Sequence, residues 1–455
     1  MDYNYNKDCD YYIKEVEKKF TDYDEEKIKY IVFFVNRNAP LTDKILEKMS
    51  KYDYVEFDNY FNQPIDNLPL GLKSIILGNY FDQSIYNLPS GLQSLTIRSN
   101  LTYPVDNLPS GLQSLTFENF FNQPIDNLQS GLQSLTLGSY FNQPIDNLPS
   151  GLQNLTFTYD SAFNHSVDYL PLQLQTLTFR NKFNQSVDNL PTGLQSLTFG
   201  DYFNQSVDNL PSGLQNLTFG WNFNQQIDNL PSGLQSLTFS GHSNIISKFN
   251  QRIDNLPSGL QSLILGGNFN QPIDNLPNKL QYLSIHELIF GDLVINYKFN
   301  QPIDKLPPRL QSISLGNIFN QPIDKLPLGL QSISLGNNFN QSVDNLPSGL
   351  ERLLLGNNFN QPVDKLPPEL EILGLGDNFN QPVDKLPLGL QALGMGKNFN
   401  QSADNLPSGL LFLTFGEAYN RQLSNLPSTL KELTISKNYY KLLDKLPVSL
   451  EIFRK

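Results

Sequence analysis

Aspartate recurs at one phase of this chain through most of its length, as in Asp126, Asp146, Asp188 and Asp208. Two carboxylates held together are the simplest acid–base device a protein can build, provided their surroundings push their pKa values apart. Here the surroundings repeat along with the carboxylates, so no member of the row is singled out as acid or base. Stacked like charges repel unless each is offset. The expected offset is an Asx-type hydrogen bond to a backbone amide just ahead, made within each turn. In the C-terminal half Lys often follows directly, at Lys305, Lys325, Lys365, Lys385 and Lys445. Other reactive side chains are scarce. Cys9, the single cysteine, excludes an internal disulfide framework, and with His165, His242 and His286 it leaves no structural zinc site. Cys9 next to Asp10 lacks a base for thiol chemistry, and the histidines accompany no Ser or Cys constellation that would make a triad. The expectation is therefore no catalytic residue, no metal and no cofactor, and a chain that is not an enzyme.

The aspartates are carried by a twenty-residue unit, typified by FNQPIDNLPSGLQSLTLGNN, that restarts nineteen times from Phe61 onward. Numbered from its Phe, the unit is apolar at positions 1, 5, 8, 12, 15 and 17, as in Phe121, Ile125, Leu128, Leu132, Leu135 and Leu137. Positions 12 to 17 end in strict alternation, the period of a strand with one buried and one wet face. The remainder, with Gly at 18, Pro or Ser at 4 and Pro at 9, favours turns and polyproline-like backbone over helix. A short fixed period means a solenoid in which each coil buries its apolar face against its neighbours. The predicted fold is thus a leucine-rich-repeat-like solenoid, with a curved parallel β-sheet, irregular convex return segments and a small α/β N-terminal cap. Residues 1–57 form the cap with a partial first repeat, and 58–455 the solenoid. Three units are longer, by two residues before Phe163, six before Phe249 and ten before Phe299. All three insertions fall between strand and Phe, where a loop disturbs no buried position. Gln129 replaces the Pro of position 9 once, which an irregular return segment tolerates.

Within the first fifty residues, Tyr12, Val16 and Phe20 have helical spacing over 11–20, 28–35 reads as a strand, and 41–49 as a helix started by Thr42. The chain is acidic, with a formal net charge of -12 and 39% hydrophobic residues. That balance disfavours nucleic acid and anionic membrane as partners. Its longest apolar run, 31–35, is far below the roughly 20 residues of a membrane span, and the polar N-terminus resembles no signal peptide. An intracellular, reducing compartment is expected.

Positions 14 and 16 point outward from the strand. From Ser94/Thr96 to Ser236/Thr238 they are small hydroxyl or amide side chains, a regular array that would suit a repetitive lattice or simply be a solvated face. Farther along the wording changes to Arg352/Leu354, Ile372/Gly374 and Ala392/Gly394. Leu411 and Phe412 follow in the next unit. Apolar and Arg side chains beside glycines on a concave sheet form the best candidate for a partner-binding centre. Ile289 and Phe290, in the longest insertion, are a candidate rim loop. Tyr60, Tyr80, Tyr140, Tyr202 and Trp221 precede the Phe of their units and would either dock a peptide or shield the core edge.

The FNQPIDNLP wording resembles the FNIP repeat, a leucine-rich-repeat relative found in giant DNA viruses and amoebae, and 346–358 matches the LPxxLxxLxLxxN pattern of short leucine-rich repeats. The resemblance implies a non-catalytic protein–protein interaction scaffold in a host cytoplasm, its partner unidentified. Some relatives carry an N-terminal F-box, so a ubiquitin-ligase adaptor is one alternative, with Ala39-Pro40-Leu41 as a degenerate trace of its opening; a structural or lattice-binding Ser/Thr array is the other. The sequence is expected to stop inside its final strand, at Phe453-Arg454-Lys455, with no separate cap, which would allow a dimer through that edge.

Overall fold

The computed structural model describes residues 11–18, 28–35, 40–118, 120–240, 246–285, 297–441, 443, 446–447 and 450–455, the first two stretches by their backbone alone. Two compact units divide the chain, Met1–Asn216 and Leu217–Lys455.

In the first unit β1 (Tyr11–Lys18) pairs antiparallel with β2 (Ile28–Val35), and β2 lies parallel to β3 (Tyr54–Phe57), with Ile31 opposite Val55. The helical spacing of 11–20 is thus overridden. Pairing along all eight residues of β2 outweighs a local period that a Tyr- and Val-bearing segment satisfies equally well as a strand. The one helix among the described residues is α1 (Asp43–Met49), which starts after Thr42 as expected, although the Thr42 side chain makes no capping bond. Ile45 and Met49 bury its inner face. From β4 (Ser74–Leu77) to β10 (Ser196–Thr198) each coil contributes one short strand, parallel and in register with the last. The strand β11 (Asn216–Phe219) carries the border between the units. In the second unit the series runs from β12 (Ser236–Phe239) through β13 (Ser262–Ile264), β14 (Tyr282–Ile285), β15 (Ser312–Leu315) and β16 (Ser332–Ser334). It continues with β17 (Arg352–Leu354), β18 (Ile372–Gly374), β19 (Ala392–Gly394), β20 (Phe412–Thr414), β21 (Glu432–Ile435) and β22 (Glu451–Arg454). Both units are parallel β-solenoids.

The core follows the repeat. Positions 1, 5, 12, 15 and 17 are buried in every coil before the last. Position 8 is buried throughout the first unit and only half-buried in coils such as that of Leu346. Phenylalanines at position 1 form a column of near-parallel rings about one coil apart, with centroids 6.1 Å apart for Phe183–Phe203 and 6.0 Å for Phe359–Phe379. Where position 17 is also Phe, it stacks on the next ring, as in Phe179–Phe183 at 3.7 Å. Each buried ring contributes on the order of 2 to 3 kcal/mol by removal from water. The insertions leave this register intact: Asn154 faces Thr176, Ser236 faces Ser262 and Tyr282 faces Ser312.

Among the described residues the return segments form no strand beyond the single Leu423–Leu443 bridge, so their backbone N–H groups need other acceptors. Asparagine at position 2 provides them. The Asn320 Oδ1 accepts the Asn340 backbone N–H (2.9 Å) and the Gln341 Nε2 (3.1 Å), and the same bond recurs from Asn122 to Asn420 wherever it is described. It spans the insertions too, from Asn250 to Asn224 and from Asn300 to Asn270. At position 9 the carbonyl closes a turn with the N–H of position 12; Gln129 makes it to Leu132 as Pro109 does to Leu112. Glycine at 18 answers a steric demand, because a Cβ on Gly376 would overlap the backbone O and C of Gly356.

Candidate functional site

The aspartate row is held between coils. The Asp168 carboxylate accepts from Asn189 Nδ2 of the next coil (3.0 Å) and from its own Ser166 Oγ (2.7 Å), while Ser166 Oγ accepts the Asp168 N–H. Asn87 to Asp66, Asn147 to Asp126 and Asn345 to Asp324 repeat the inter-coil bond. The offset to repulsion is therefore the amide of the following unit's position 7, where a backbone amide within the same turn was expected. The difference arises because stacking brings position 7 of one coil onto position 6 of the coil before. Where position 7 is Lys, it reaches back in the same way, Lys365 Nζ lying 3.2 Å from Asp344 and Lys325 Nζ 3.4 Å from Asp304. These exposed pairs are worth little each. The hydrogen bonds from Ser166, then Asn189, hold the Asp168 carboxyl below its usual pKa, and Arg252 does the same for Asp254. These carboxylates thus serve the stack as hydrogen-bond acceptors between coils.

His165 takes the place of the usual Gln at position 3, its Nε2 2.9 Å from the Asn142 carbonyl where Gln Nε2 sits elsewhere. Cys9, His242, His286 and the rim-loop pair Ile289 and Phe290 lie outside the described residues. Among the described residues no group of His, Cys, Asp or Glu is placed to hold a metal ion, and no helix is long and apolar enough to cross a membrane.

The changed wording of the second unit falls on four adjacent strands. Register sets Arg352 beside Ile372, Ile372 beside Ala392 and Ala392 beside Phe412, while Leu354, Gly374, Gly394 and Thr414 form the parallel row. Phe412 is 42% exposed, Arg352 is exposed, and Leu354, Ile372 and Leu411 are half-buried. The two glycines differ. A Cβ on Gly374 would come 2.8 Å from Leu354 Cδ2, so the Leu354 side chain lies over it; around Gly394 nothing stands within 4 Å. The result is an apolar ridge next to an open notch, bounded by Phe412 and Ala392.

Sequence reading passed over the polar edge of this face. At position 13, Gln gives way to Glu351 and Glu371, and at position 11 the usual Gly gives way to Glu369. A shallow groove of about 380 Å³ opens there, lined by Leu328, Gln331, Glu351, Glu369 and the backbone of Gly329 and Gly349. Breaks in the position-11 and position-13 wording were the available signal.

The aromatic residues before each Phe stack on one another at the surface. Tyr60 and Tyr80 lie 5.4 Å apart at 12°, and Phe120 and Tyr140 5.2 Å apart, each about half-exposed. Trp221 supports Lys248, whose Nζ is 4.5 Å from the ring centroid and 2.6 Å from Asn222 Oδ1. The phenylalanines behind these positions are already fully buried.

Stacked parallel coils with one strand each, a Phe column, an Asn ladder and an exposed strand face define a repeat protein of leucine-rich-repeat type. The FNIP repeat matches residues 61–100, 121–160, 203–242, 249–288, 299–338, 319–358 and 399–438, more than half of the sequence. The chain belongs to the FNIP repeat family. Among solved structures it is similar to CroV588, described as a circular leucine-rich-repeat protein, at 31% identity over 93% of this chain and 85% of that one, with a TM-score of 0.44. YopM from Yersinia enterocolitica is 21% identical over 90% of this chain and 93% of its own, with a TM-score of 0.54. The functional domain of InlJ from Listeria monocytogenes is 12% identical over 86% and 76%, with a TM-score of 0.47. No curated protein matches the sequence.

Proposed function

We propose that this chain is a non-catalytic interaction scaffold that takes a protein partner on the exposed strand face of its second unit, around Phe412, Ile372 and the Gly394 notch. The observation that carries this reading is the run of apolar residues on four consecutive strands, β17 to β20, at phases that hold Ser, Thr or Asn in most other coils, with Ile76, Ile264, Tyr282 and Glu432 among the exceptions. Positions 1, 12 and 15 keep their identities through the same coils, as Phe359, Phe379, Leu373 and Leu393 show, while the core itself varies only at Met395, Ala403 and Phe415. An exposed aromatic beside a notch is the usual form of a binding hot spot. Leu354, lying over Gly374, belongs to the ridge, Arg352 flanks it, Ala392 borders the Gly394 notch, and Leu411 extends the apolar surface by one residue.

Quantitative affinity capture with the full chain tests the reading. Phe412→Ala with Ile372→Ala is expected to lower recovery of the captured partner about tenfold or more, with an unchanged melting temperature. Equal recovery by wild type and variant would refute it. The ubiquitin-ligase adaptor stands as the alternative reading, and co-purification of the full chain with a Skp-type adaptor would favour it. Removal of the Ser/Thr ranks by alanine, if it left capture intact, would set aside the lattice-binding alternative. A second copy pairing along β22 completes the proposal, and a sedimentation mass independent of concentration would remove that part alone.

A further inference from the structure

We infer that the partner segment is basic as well as apolar: an extended stretch with one or more Lys or Arg residues about four to six positions from an aliphatic or aromatic anchor. This deepens the proposed interaction reading and rests on it. The anchor occupies the Gly394 notch beside Phe412, and the cationic side chain lies in the groove lined by Glu351 and Glu369.

Three observations support this assignment. First, the polar and apolar changes coincide. Gln occupies position 13 from Gln93 through Gln331, then Glu351 and Glu371 appear on the rungs where position 14 becomes Arg352 and Ile372. Glu369 takes position 11 in the same coil as Ile372; the other departures from Gly at this phase, Gln173, Lys279, Arg309, Thr429 and Ser449, are neutral or basic, so Glu369 is its one acidic residue. Second, the carboxylates are crowded and lack a cation. Glu371 N–H bonds the Glu351 carbonyl at 2.9 Å, so the two side chains occupy neighbouring rungs, where like charges destabilise one another. None of Glu351, Glu369 and Glu371 is in an ion pair among the described residues, whereas the return-side aspartates at 304, 344 and 364 each have a lysine. Third, the groove suits a long cationic side chain. Leu328 is 85% exposed and offers apolar surface to an aliphatic stem, while Glu351 and Glu369 receive the charged head.

The spacing follows from sheet geometry. Groove and notch are separated by one to two rungs of about 4.8 Å and three to five residues of about 3.3 Å along the strand, roughly 11 to 19 Å. An extended peptide covers that distance in about four to six residues.

The experiment is selection of a random twelve-residue phage-display library on the purified full chain, with each enriched peptide then measured against Phe412→Ser, the triple variant E351Q/E369Q/E371Q, and wild type at low and high salt. Circular dichroism confirms that both variants fold. The expected result is peptides with a basic residue about four to six positions from an apolar one, lost on Phe412→Ser. Each neutralised carboxylate is expected to weaken them about two- to fivefold, with a shallower salt dependence in the triple variant. Peptides that need Phe412 but are neutral or acidic, or are indifferent to the triple variant, overturn this inference and leave the interaction site standing. If no enriched peptide depends on Phe412, both fall.

Discussion

Replacing Asn320 with Ala removes one rung of the asparagine ladder and leaves the rungs on either side in place. The lost oxygen accepts two hydrogen bonds, from the Asn340 backbone N–H and the Gln341 side chain, both in a half-buried environment. An orphaned donor of this kind costs about 1 to 3 kcal/mol. The second unit spans about 240 residues, and at about 2.1 cal/mol/K per residue its unfolding entropy is about 0.5 kcal/mol/K. The expected fall in melting temperature is therefore about 2 to 6 °C if the unit melts cooperatively. Asn420 is the internal control, because its Oδ1 is buried and accepts nothing, its Nδ2 donating to Tyr440 Oη. Asn420→Ala exchanges one exposed hydrogen bond for relief of a buried orphan oxygen, and is expected to shift the melting temperature by less than about 2 °C. Scanning calorimetry supplies the temperatures, and hydrogen exchange at the Asn340 amide reports the local loss of protection in Asn320→Ala. Equal shifts for the two variants, or an Asn340 amide that stays protected, would refute the ladder as a source of cohesion.

Other substitutions separate the remaining forces. Phe359→Ala is expected to cost about 3 to 5 kcal/mol and Phe359→Leu below about 1.5 kcal/mol by urea titration, since Leu101 already sits fully buried at the same position of its own coil. Gly376→Ala should destabilise by more than about 1 kcal/mol because its Cβ meets the Gly356 backbone, whereas Gly394→Ala, in open space, should stay within about 0.5 kcal/mol. Burial pushes the Tyr419 phenol well above its ordinary pKa, and its Oη has no partner. The folded state therefore resists an ionisation that the unfolded chain undergoes near pH 10, so stability is full below that pH and falls as pH rises through it. Tyr419→Phe should remove that part of the alkaline loss and raise stability at neutral pH by up to about 1 kcal/mol; an unchanged pH–stability curve would count against the buried phenol.

Much of this structure can be read from the repeat because one error in phase would turn every buried side chain outward. The phases of Phe121, Ile125 and Leu135, the strand of 28–35 and the helix after Thr42 all follow from apolar spacing alone. What escaped has a different origin. Tyr11–Lys18 was ambiguous because its spacing fits a helix as well as a strand, and only β2 decides between them. Asparagine at position 2 reads as a turn residue until the next coil is laid against it. Asp168 has Ser166 within its own turn, but its second partner, Asn189, arrives from twenty-one residues on. Contacts between units are invisible to any window shorter than the unit. The ridge from Arg352 to Phe412 was legible as an interruption of wording; its acidic border at Glu351, Glu369 and Glu371 was not, since a charged residue at an exposed phase is ordinary by itself.

The bond that spans twenty residues between Asn320 and Asn340 spans twenty-six between Asn224 and Asn250 and thirty between Asn270 and Asn300. Recognition between coils thus depends on which residue arrives and takes no account of how much chain was spent getting there. A gene encoding such a protein can gain or lose a whole unit by unequal recombination and still encode matched neighbours, while a frame-preserving loss of a few codons within a unit would mismatch them. The number of rungs is in this sense adjustable, and copies added on either side of β17–β20 would lengthen the body without rewriting the face those strands present.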